Sequence, residues 1–359
     1  MYSSKPIRKC VTLLKNVTSK YKTPYISRSN FMKQKIKKFM KYFLGILAGF
    51  ILGLLIFTLL VFYGPFTGLR DLYITTAMTT MNHKYLATWF FSDALIKEVM
   101  EKNAPEIPKE NSNKKDIIIE KKPVEDKKGI NFVKLDQNGY KGYLLIIDDP
   151  SRVYVATAKD LGTTGEKLSD IAKRENAIAG INAGGYSDEF GKGMGGEAEG
   201  IVISQGSLKY DAKNPEYYVS GFDWDNVLNM GIYKRQDINN LKLRDAVCFK
   251  PFLIINGKPL ITHGDGGWGI APRTAIGQTK EGKVLMLAID GRQLSSMGAT
   301  LKDVQDLMLS YGAYNAVNLD GGSSTAMYYR EDGSSSHIVN NPSGPAGERL
   351  LPTAFLVRP

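Results

Sequence analysis

The chain has 359 residues, a formal net charge of +11, two cysteines and three histidines. The excess charge belongs to the N-terminus: residues 1–42 hold twelve lysines or arginines and no acidic residue, whereas the remainder holds 35 basic and 36 acidic residues. Because the excess positive charge is confined to this tail and the sequence has no recognised nucleic-acid motif, nucleic-acid binding is not indicated. The few cysteines and histidines are scattered and give no zinc signature.

The first predicted element is a membrane-spanning helix over residues 43–63. This stretch of 21 residues carries no charge. At 1.5 Å per residue it would be about 31 Å long, enough to cross a bilayer core. Lysines cluster just before it, in residues 33–41. By the positive-inside rule, the sequence therefore predicts a single-pass cell-membrane protein with a cytoplasmic tail over 1–42 and its C-terminal domain outside.

Two connecting segments follow the predicted span. Residues 101–128 hold three prolines among charges of both signs and are predicted to be a flexible linker, because so few apolar side chains cannot offset chain entropy. Residues 64–100 are predicted to be a helical juxtamembrane segment. Its apolar face could lie on the membrane, against a partner helix or in a packed helical neck, and is formed by Leu86, Trp89, Phe90, Leu95, Ile96 and Val99.

Residues 129–359 are predicted to form one α+β domain: a mixed or antiparallel β-sheet with a few packed helices. Short apolar runs alternate with turns, which predicts a strand pair across Asp149-Pro150-Ser151 and hairpins within 201–210, 251–261 and 273–289. The clearest helix spans 301–311, where Thr300 and Asp303, just before and inside its first turn, suit a capping box.

Four predicted strand ends in this domain carry polar, glycine-rich tips. Glycine lets a ligand approach the main chain closely, and acids, amides and hydroxyls suit a sugar or a phosphate ester. An Asp-Gly pair is also typical of an ordinary turn. Adjacent strands could bring these tips together at one sheet edge. The tips are Asn182-Ala183-Gly184-Gly185, Pro272-Arg273-Thr274, Asp290-Gly291-Arg292 and Asn318-Leu319-Asp320-Gly321-Gly322-Ser323-Ser324.

Taken in order, and with the ending Arg349-Leu350-Leu351-Pro352-Thr353-Ala354-Phe355, these motifs resemble the phosphodiester glycosidase family. The resemblance covers roughly residues 130–359. It implies a glycoside hydrolase that cleaves the bond between the anomeric carbon of a sugar and a phosphodiester.

The resemblance and the residue types suggest catalytic roles. Glycosidases usually use two carboxylates, and Asp290 and Asp320 are the expected pair. Arg273 is the expected phosphate clamp, because its planar guanidinium matches two phosphate oxygens. The alternatives are structural: each aspartate could cap the turn after its strand, and Arg273 could pair with an acid at the surface.

Further residues are expected to bind the substrate. Amide, hydroxyl and imidazole groups would contact sugar or phosphate, and glycines would allow close backbone approach. His263 lies in a glycine-rich loop with Trp268, which could stack on a sugar ring, although a solvated loop histidine is the alternative. The expected substrate-binding residues are Asn182, Gly184, Gly185, His263, Asn318, Gly321, Gly322, Ser323 and Ser324.

No metal site or cofactor is firmly predicted, although Glu197 and Glu199 with Asp188 could hold a divalent cation. The expected partner is a phosphoglycan of the cell envelope, of capsular, exopolysaccharide or teichoic-acid type. Two alternatives remain open: a non-catalytic carbohydrate-binding or envelope-assembly protein, and a glycosyl or phosphoglycosyl transferase with the same cleft.

Overall fold

The computed structural model describes residues 25–80, 82–119, 129–137, 139–187, 194–330 and 337–359. Residues 1–24 of the predicted cytoplasmic tail and residues 120–128 of the predicted linker lie outside this described part. The chain divides into two compact units, Met1–Thr67 and Gly68–Pro359.

The first unit contains one long helix, α1, over Tyr25–Tyr63. Its portion Phe31–Tyr63 is long and apolar enough to cross a membrane, and its side chains are almost all exposed. A helical stretch that is apolar on every face and has so few buried side chains suits a lipid environment. The helix is therefore a candidate membrane span, although its position near the N-terminus also suits a signal sequence.

The second unit contains five helices among its described residues. The last of them, α6, begins at the predicted capping box, in which the Thr300 and Asp303 side chains each bond the other's backbone. The helices are α2 (Thr67–Met78), α3 (Tyr85–Thr88), α4 (Asp93–Asn103), α5 (Leu168–Arg174) and α6 (Leu301–Ser310).

Three antiparallel sheets form the body of this unit. Their strand orders are β1-β2-β13-β12-β14-β10-β11, β15-β4-β16-β3 and β6-β5-β9-β7-β8. The strands are β1 (Ile130–Gln137), β2 (Tyr140–Ile147), β3 (Val153–Thr157), β4 (Ala179–Asn182), β5 (Ile201–Ser204), β6 (Ser207–Asp211), β7 (Glu216–Asp223), β8 (Leu228–Lys234), β9 (Leu243–Cys248), β10 (Phe252–Ile255), β11 (Lys258–Pro259), β12 (Arg273–Thr279), β13 (Val284–Ile289), β14 (Ala313–Leu319), β15 (Met327–Tyr329) and β16 (Thr353–Val357).

The predicted α+β class and all three predicted hairpins are confirmed, as β5–β6, β10–β11 and β12–β13. The predicted pairing of the strands on either side of Asp149-Pro150-Ser151 is wrong. β2 pairs with β1 and β13, whereas β3 pairs with β16 in another sheet. Residues Pro150–Arg152 form a 3-10 turn between the two sheets. β2 forms a hairpin with β1 just before it, and the remaining partners, β13 of β2 and β16 of β3, come from distant segments.

The core lies between the sheets and under α6. Apolar side chains from all three sheets meet in one cluster that includes Leu145, Val247 and Phe355. On the other face of the seven-stranded sheet, α6 packs Leu301 and Val304 against the strands. This helical face follows from the apolar spacing of its sequence, and it fixes the strand ends that carry the predicted site.

The juxtamembrane segment packs against the domain through only part of its predicted apolar face. Helix α2 buries Ile74, and α4 buries Ile96 and Val99. Trp89 and Phe90, from the same predicted face, are exposed. The packed neck therefore accounts for the buried half of that face and leaves the exposed half to be explained.

Residues 104–119 run along the domain rather than forming the flexible linker expected from their composition. Their backbone amides donate to carbonyls on separate domain elements: Glu106 to Leu260 at 2.7 Å, and Ile118 to Lys280 at 2.8 Å. Glu110 also forms an ion pair with Lys258. The polar groups that suggested disorder find partners on the domain surface, which offsets part of the ordering entropy.

Candidate active site

Antiparallel pairing brings the predicted strand tips to one edge of the seven-stranded sheet. β12 lies between β13 and β14, and its first residue, Arg273, pairs with Ile289, while Thr274 pairs with Leu319. The start of β12 therefore adjoins the ends of its two neighbours, which are followed at once by Asp290 and Asp320.

Asn182 joins the fourth tip, from another sheet, to this edge. Its Nδ2 donates to the Asp320 carbonyl oxygen at 2.6 Å, and its Oδ1 accepts from Thr274 Oγ1 at 2.8 Å and from the Ala326 amide at 3.0 Å. The residue is only 1% exposed. Asn182, expected to contact a sugar, thus lies below the site and holds its parts together.

A cleft of about 640 Å³ lies over this junction. Among the described residues that line it, three are arginines and Asp320 is the sole carboxylate. Such an excess of fixed positive charge attracts an anion, and guanidinium groups match the geometry of phosphate. The lining residues are Thr76, Thr79, Thr80, Asn82, His83, Tyr186, Phe249, Trp268, Ile270, Ala271, Arg273, Arg292, Asp320, Gly321, Gly322, Ser323, Ser324 and Arg349.

The turn after β14 forms the floor of the cleft, and every predicted residue from Asp320 to Ser324 lines it. The Asp320 amide donates to the Ala183 carbonyl at 3.1 Å, and the Gly322 amide donates to the Pro272 carbonyl at 2.9 Å. Gly322 has a φ of 60°, in the left-handed region that favours glycine. These bonds fix the backbone that carries the Asp320 carboxylate.

Arg273 lines the cleft, but its Nε and Nη2 groups already donate hydrogen bonds to backbone carbonyls of the protein. Its Nε donates to the Ala299 carbonyl at 3.0 Å, and its Nη2 donates to the carbonyls of Trp268 and Gly269 at 2.8 and 2.6 Å. Burial lowers the pKa of Arg273 to about 10, against the opposing effect of Asp265, so the group stays cationic at neutral pH. The predicted phosphate clamp therefore also holds the loop before its own strand.

Arg292 offers the freer guanidinium, and no role was predicted for it. A Cβ added at Gly322 would lie 3.4 Å from Arg292 Nη2, which places the guanidinium over the floor turn. Burial lowers the pKa of Arg292, and no hydrogen bond or ion pair from a described residue perturbs it. The residue follows Asp290-Gly291 directly, so the motif itself was the signal that could have identified it.

Asp290 is not among the residues that line the cleft. Its Oδ1 accepts from the Asn341 amide at 2.8 Å and from Asn340 Nδ2 at 3.2 Å, and it is 5% exposed. Burial raises the pKa of Asp290, while the two hydrogen bonds lower it. Asn340 also donates to the Thr325 carbonyl at 3.1 Å. The structure thus makes Asp290 an anchor for the segment that supports the floor turn.

Gly184 and Gly185 are buried beside the cleft rather than lining it. The Gly184 amide donates to Thr353 Oγ1 at 3.1 Å. A Cβ added at Gly185 would lie 2.8 Å from the Phe249 ring. These glycines permit close packing of protein against protein, and their contribution to the cleft is to let Phe249 take its place in the wall.

His263 is exposed, bonds Thr262 through Nδ1 at 3.0 Å and is absent from the cleft lining. Its loop neighbour Trp268 does line the cleft, packed edge-on against Phe249 with ring centroids 6.2 Å apart. Asn318 is buried, and its Nδ2 donates to the Lys250 carbonyl at 3.2 Å. Only the aromatic member of the predicted loop therefore reaches the cleft.

Helix α2 fixes the loop that carries Trp268. Thr75 Oγ1 donates to Asp265 Oδ2 at 2.6 Å, and Asp265 in turn accepts from the Gly267 amide at 2.8 Å. Thr79 Oγ1 donates to the Trp268 carbonyl at 3.1 Å. This wall was missed because residues 64–100 lie outside the stretch that carries the family resemblance and show no motif of their own.

Within the described residues, no group of three or more His, Cys, Asp or Glu side chains is arranged to hold a metal ion. Of the three acids considered for a cation, Asp188 lies outside the described residues. Burial raises the pKa of Glu199, and nearby Lys250 lowers it.

Comparisons with known proteins identify a family, a sequence relative and a similar fold. A sequence profile described as phosphodiester glycosidase matches residues 175–358. The SPbeta prophage-derived uncharacterized protein YomE of Bacillus subtilis (strain 168) is 31% identical over 188 residues, 49% of this chain and 27% of that protein. The chain therefore spans about a quarter of that relative's length.

One solved structure has a similar fold. It is the catalytic domain of zebrafish N-acetylglucosamine-1-phosphodiester alpha-N-acetylglucosaminidase, auto-inhibited by pro-peptide. The match has a TM-score of 0.55 at 21% sequence identity and covers 70% of this chain and 87% of that one.

Proposed function

This chain belongs to the phosphodiester glycosidase family, and from that premise we propose that it hydrolyses the bond between a sugar's anomeric carbon and a phosphodiester. The observation that carries the proposal is the charge of the cleft, where three arginines accompany one carboxylate among the described lining residues. A phosphodiester brings the negative charge that such a cleft attracts.

The leaving group explains how one carboxylate in the cleft suffices. Most glycosidases need a general acid because they expel an alkoxide. Here the expelled group is a phosphate monoester, whose second pKa is about 6, so it departs with little protonation. Asp290 is therefore not needed as an acid, and its place outside the cleft is compatible with the reaction.

Asp320 is the proposed catalytic carboxylate. It would act as the base that activates water or as the nucleophile at the anomeric carbon. In either role its negative charge would stabilise the positive charge that develops on the sugar ring. Its main chain is fixed by the bonds of its amide to Ala183 and of its carbonyl to Asn182. A rigid position is what a group acting at one carbon requires.

The arginines are proposed to hold the phosphate as its charge grows. Arg292 would donate to phosphate oxygens, since its guanidinium lies over the floor turn beside Asp320. Arg273 would contribute charge from below while holding the Trp268 loop. Charge-assisted bonds that strengthen as the anion forms lower the barrier.

The aromatic residues are proposed to bind the sugar. Trp268 and Phe249 line one part of the cleft in edge-to-face contact, which leaves an apolar surface beside the polar floor. Such a surface suits the less polar face of a sugar ring, while Ser323 and Ser324 supply hydroxyl groups nearby.

The proposed setting is the outer face of the cell membrane. Support comes from the apolar helix α1 and from the lysines that precede its uncharged stretch. The substrate would then be an envelope phosphoglycan with sugar-1-phosphate linkages, of capsular, exopolysaccharide or teichoic-acid type.

The test is to offer the purified full chain, in detergent, a sugar aryl-phosphodiester or a UDP-sugar. We expect release of free sugar in water, with saturation kinetics and competition by inorganic phosphate. Release only when an acceptor alcohol is added would instead identify a transferase. Tight binding without turnover would identify a binding or assembly protein.

A further inference from the structure

An exposed apolar cluster lies on the turn between α2 and α4. Four large side chains within six residues are exposed: Tyr85 by 40%, Leu86 by 37%, Trp89 by 74% and Phe90 by 44%. Single exposed apolar residues are ordinary, whereas a contiguous group usually marks an interaction site. We call these four residues the aromatic turn.

The aromatic turn is a shaped surface and not a loose segment. Between its exposed members, Ala87 is fully buried, and Phe91 is buried just after it. Tyr73 of α2 donates its hydroxyl to the Leu86 carbonyl at 2.9 Å and packs its ring against Phe91. The turn is thus anchored from inside while its other side presents apolar groups to the surroundings.

We infer that the aromatic turn contacts the lipid bilayer and inserts into its headgroup region. Trp and Tyr favour the membrane interface, where an apolar ring and a polar edge are both satisfied. Lys84, directly before the cluster, is exposed and would meet anionic lipid phosphates. Only residues 64–84 separate the cluster from Tyr63, the end of the proposed membrane span, so a short stretch of chain tethers this surface to that span.

The contact would also set where the cleft opens. Asn82 and His83 line the cleft, and the His83 ring centroid lies 6.0 Å from that of Tyr85, which lies 4.8 Å from that of Trp89. The cleft wall therefore continues directly into the aromatic turn. A turn seated among headgroups would hold the rim of the cleft at the lipid surface, within reach of a membrane-bound sugar phosphodiester.

The first test does not depend on the proposed activity. The chain has three tryptophans, Trp89, Trp224 and Trp268. In the full chain reconstituted into bilayers of brominated phospholipid, the variant Trp224→Phe with Trp268→Phe leaves Trp89 as the sole tryptophan, whose emission is excited selectively over that of tyrosine. We expect quenching of its emission relative to unbrominated bilayers, with the strongest effect from bromines near the headgroups.

The matched control is Trp89→Phe with Trp268→Phe, which leaves Trp224. That residue is 63% exposed but belongs to another part of the domain, so we expect no quenching. Absence of quenching at Trp89, or equal quenching at both, overturns the proposal. If Trp89 is not quenched and two copies of the chain can be cross-linked at this residue, the surface serves self-association instead. Circular dichroism confirms that each variant is folded.

A second test rests on the proposed function. Replacing Leu86 and Trp89 by serine should lower turnover of a lipid-linked sugar phosphodiester by roughly tenfold or more, because two large apolar side chains would no longer be buried in the bilayer. Turnover of a soluble aryl-phosphodiester should stay unchanged. If the substitutions change turnover of both substrates by the same factor, the proposed placement of the cleft rim is contradicted. No turnover of either by the unaltered chain contradicts the proposed function but leaves the fluorescence result standing.

Discussion

The two Asp-Gly strand ends of this protein are alike in sequence and opposite in use. Asp290 follows β13 and Asp320 follows β14, and both strands flank β12. The Asp290 carboxylate accepts hydrogen bonds from the segment at residues 340–341 and is buried. Asp320 lines a cleft among arginines.

The difference arises from segments that lie far away in sequence. Asn340 and Asn341 cover one strand end and satisfy its carboxylate. The other end meets Arg292 and a left-handed turn at Gly322, which leaves room for a ligand. A local motif therefore determines where a carboxylate leaves a strand, and the distant neighbours determine whether it serves structure or chemistry.

The strongest way to test this contrast is to remove each charge while keeping each shape. We expect Asp320→Asn to lower kcat on a sugar phosphodiester on the order of 10²- to 10⁴-fold, the usual range for a positioned acid–base group. Asp290→Asn should leave kcat nearly unchanged, because its amide oxygen can still accept from residue 341. Steady-state kinetics on both folded variants measures the difference. Equal losses would mean that Asp290 shares in the chemistry.

Arg292 shows that the Asp290 end still contributes to the cleft, through the residue after its glycine. Arg292→Ala should reduce kcat/KM roughly 10- to 100-fold, because charge-assisted hydrogen bonds contribute about 1.5–3 kcal/mol each. Inorganic phosphate should also inhibit the variant more weakly. The matched control is Arg330→Ala, since Arg330 bonds Asn176 at the surface and lies outside the cleft lining. Unchanged phosphate inhibition would remove Arg292 from the binding of the anion.

The sequence predicted those parts of the fold whose signals are local. The Asn256-Gly257 turn identified β10–β11, and the Thr300–Asp303 capping box identified the start of α6. The pairing of β2 and β3 was wrong because strand partners depend on distant segments. Residues 104–119 were expected to be flexible for the same reason, because the groups to which they bond lie on distant elements of the domain.

The candidate site was predictable at its tips but not around them. The meeting of the strand ends follows from antiparallel order, and the floor turn after Asp320 was expected. That Asn182 is a buried connector, and that Arg273 holds a loop, follow from bonds to residues that no local pattern indicates. The wall supplied by α2 comes from a segment without any recognisable motif.

The wall supplied by α2 helps to form the cleft at the Asp320 strand end, and the Asp290 end has no such cleft. Loosening this wall should therefore weaken substrate binding at the Asp320 end. Thr75→Val removes the bond to the Asp265 carboxylate, which costs about 1.5–3 kcal/mol locally. We expect KM to rise by roughly tenfold or less with a small change in kcat, because the Trp268 loop binds rather than reacts. Thr75→Ser restores the hydroxyl and should restore KM.

The readout that separates this effect from general destabilisation is Trp268 emission, followed in a Trp89→Phe, Trp224→Phe background. It should report a more solvated tryptophan in Thr75→Val and not in Thr75→Ser. Thr262→Val serves as a control, because Thr262 is exposed at the start of the same loop. A kinetic change in that control equal to the change in Thr75→Val would refute the anchoring role.

The smallest effect on activity, and the clearest on stability, belongs to Asp290. Asp290→Ala leaves the Asn341 amide without its acceptor and removes one of the two acceptors of Asn340 Nδ2, which should lower the free energy of unfolding by about 1–3 kcal/mol. Asp290→Asn keeps an acceptor and should unfold near the wild-type temperature at neutral pH.

Burial raises the folded-state pKa of Asp290 above its unfolded value of about 3.9. The wild-type contribution is therefore full below about pH 4 and is lost as pH rises through the folded-state value. The stability of Asp290→Asn relative to wild type should thus improve from acidic to neutral pH, as measured by thermal unfolding in detergent at both. An asparagine variant as unstable as the alanine variant at pH 7 would show that Asp290 stabilises the fold through its charge rather than as a neutral acceptor.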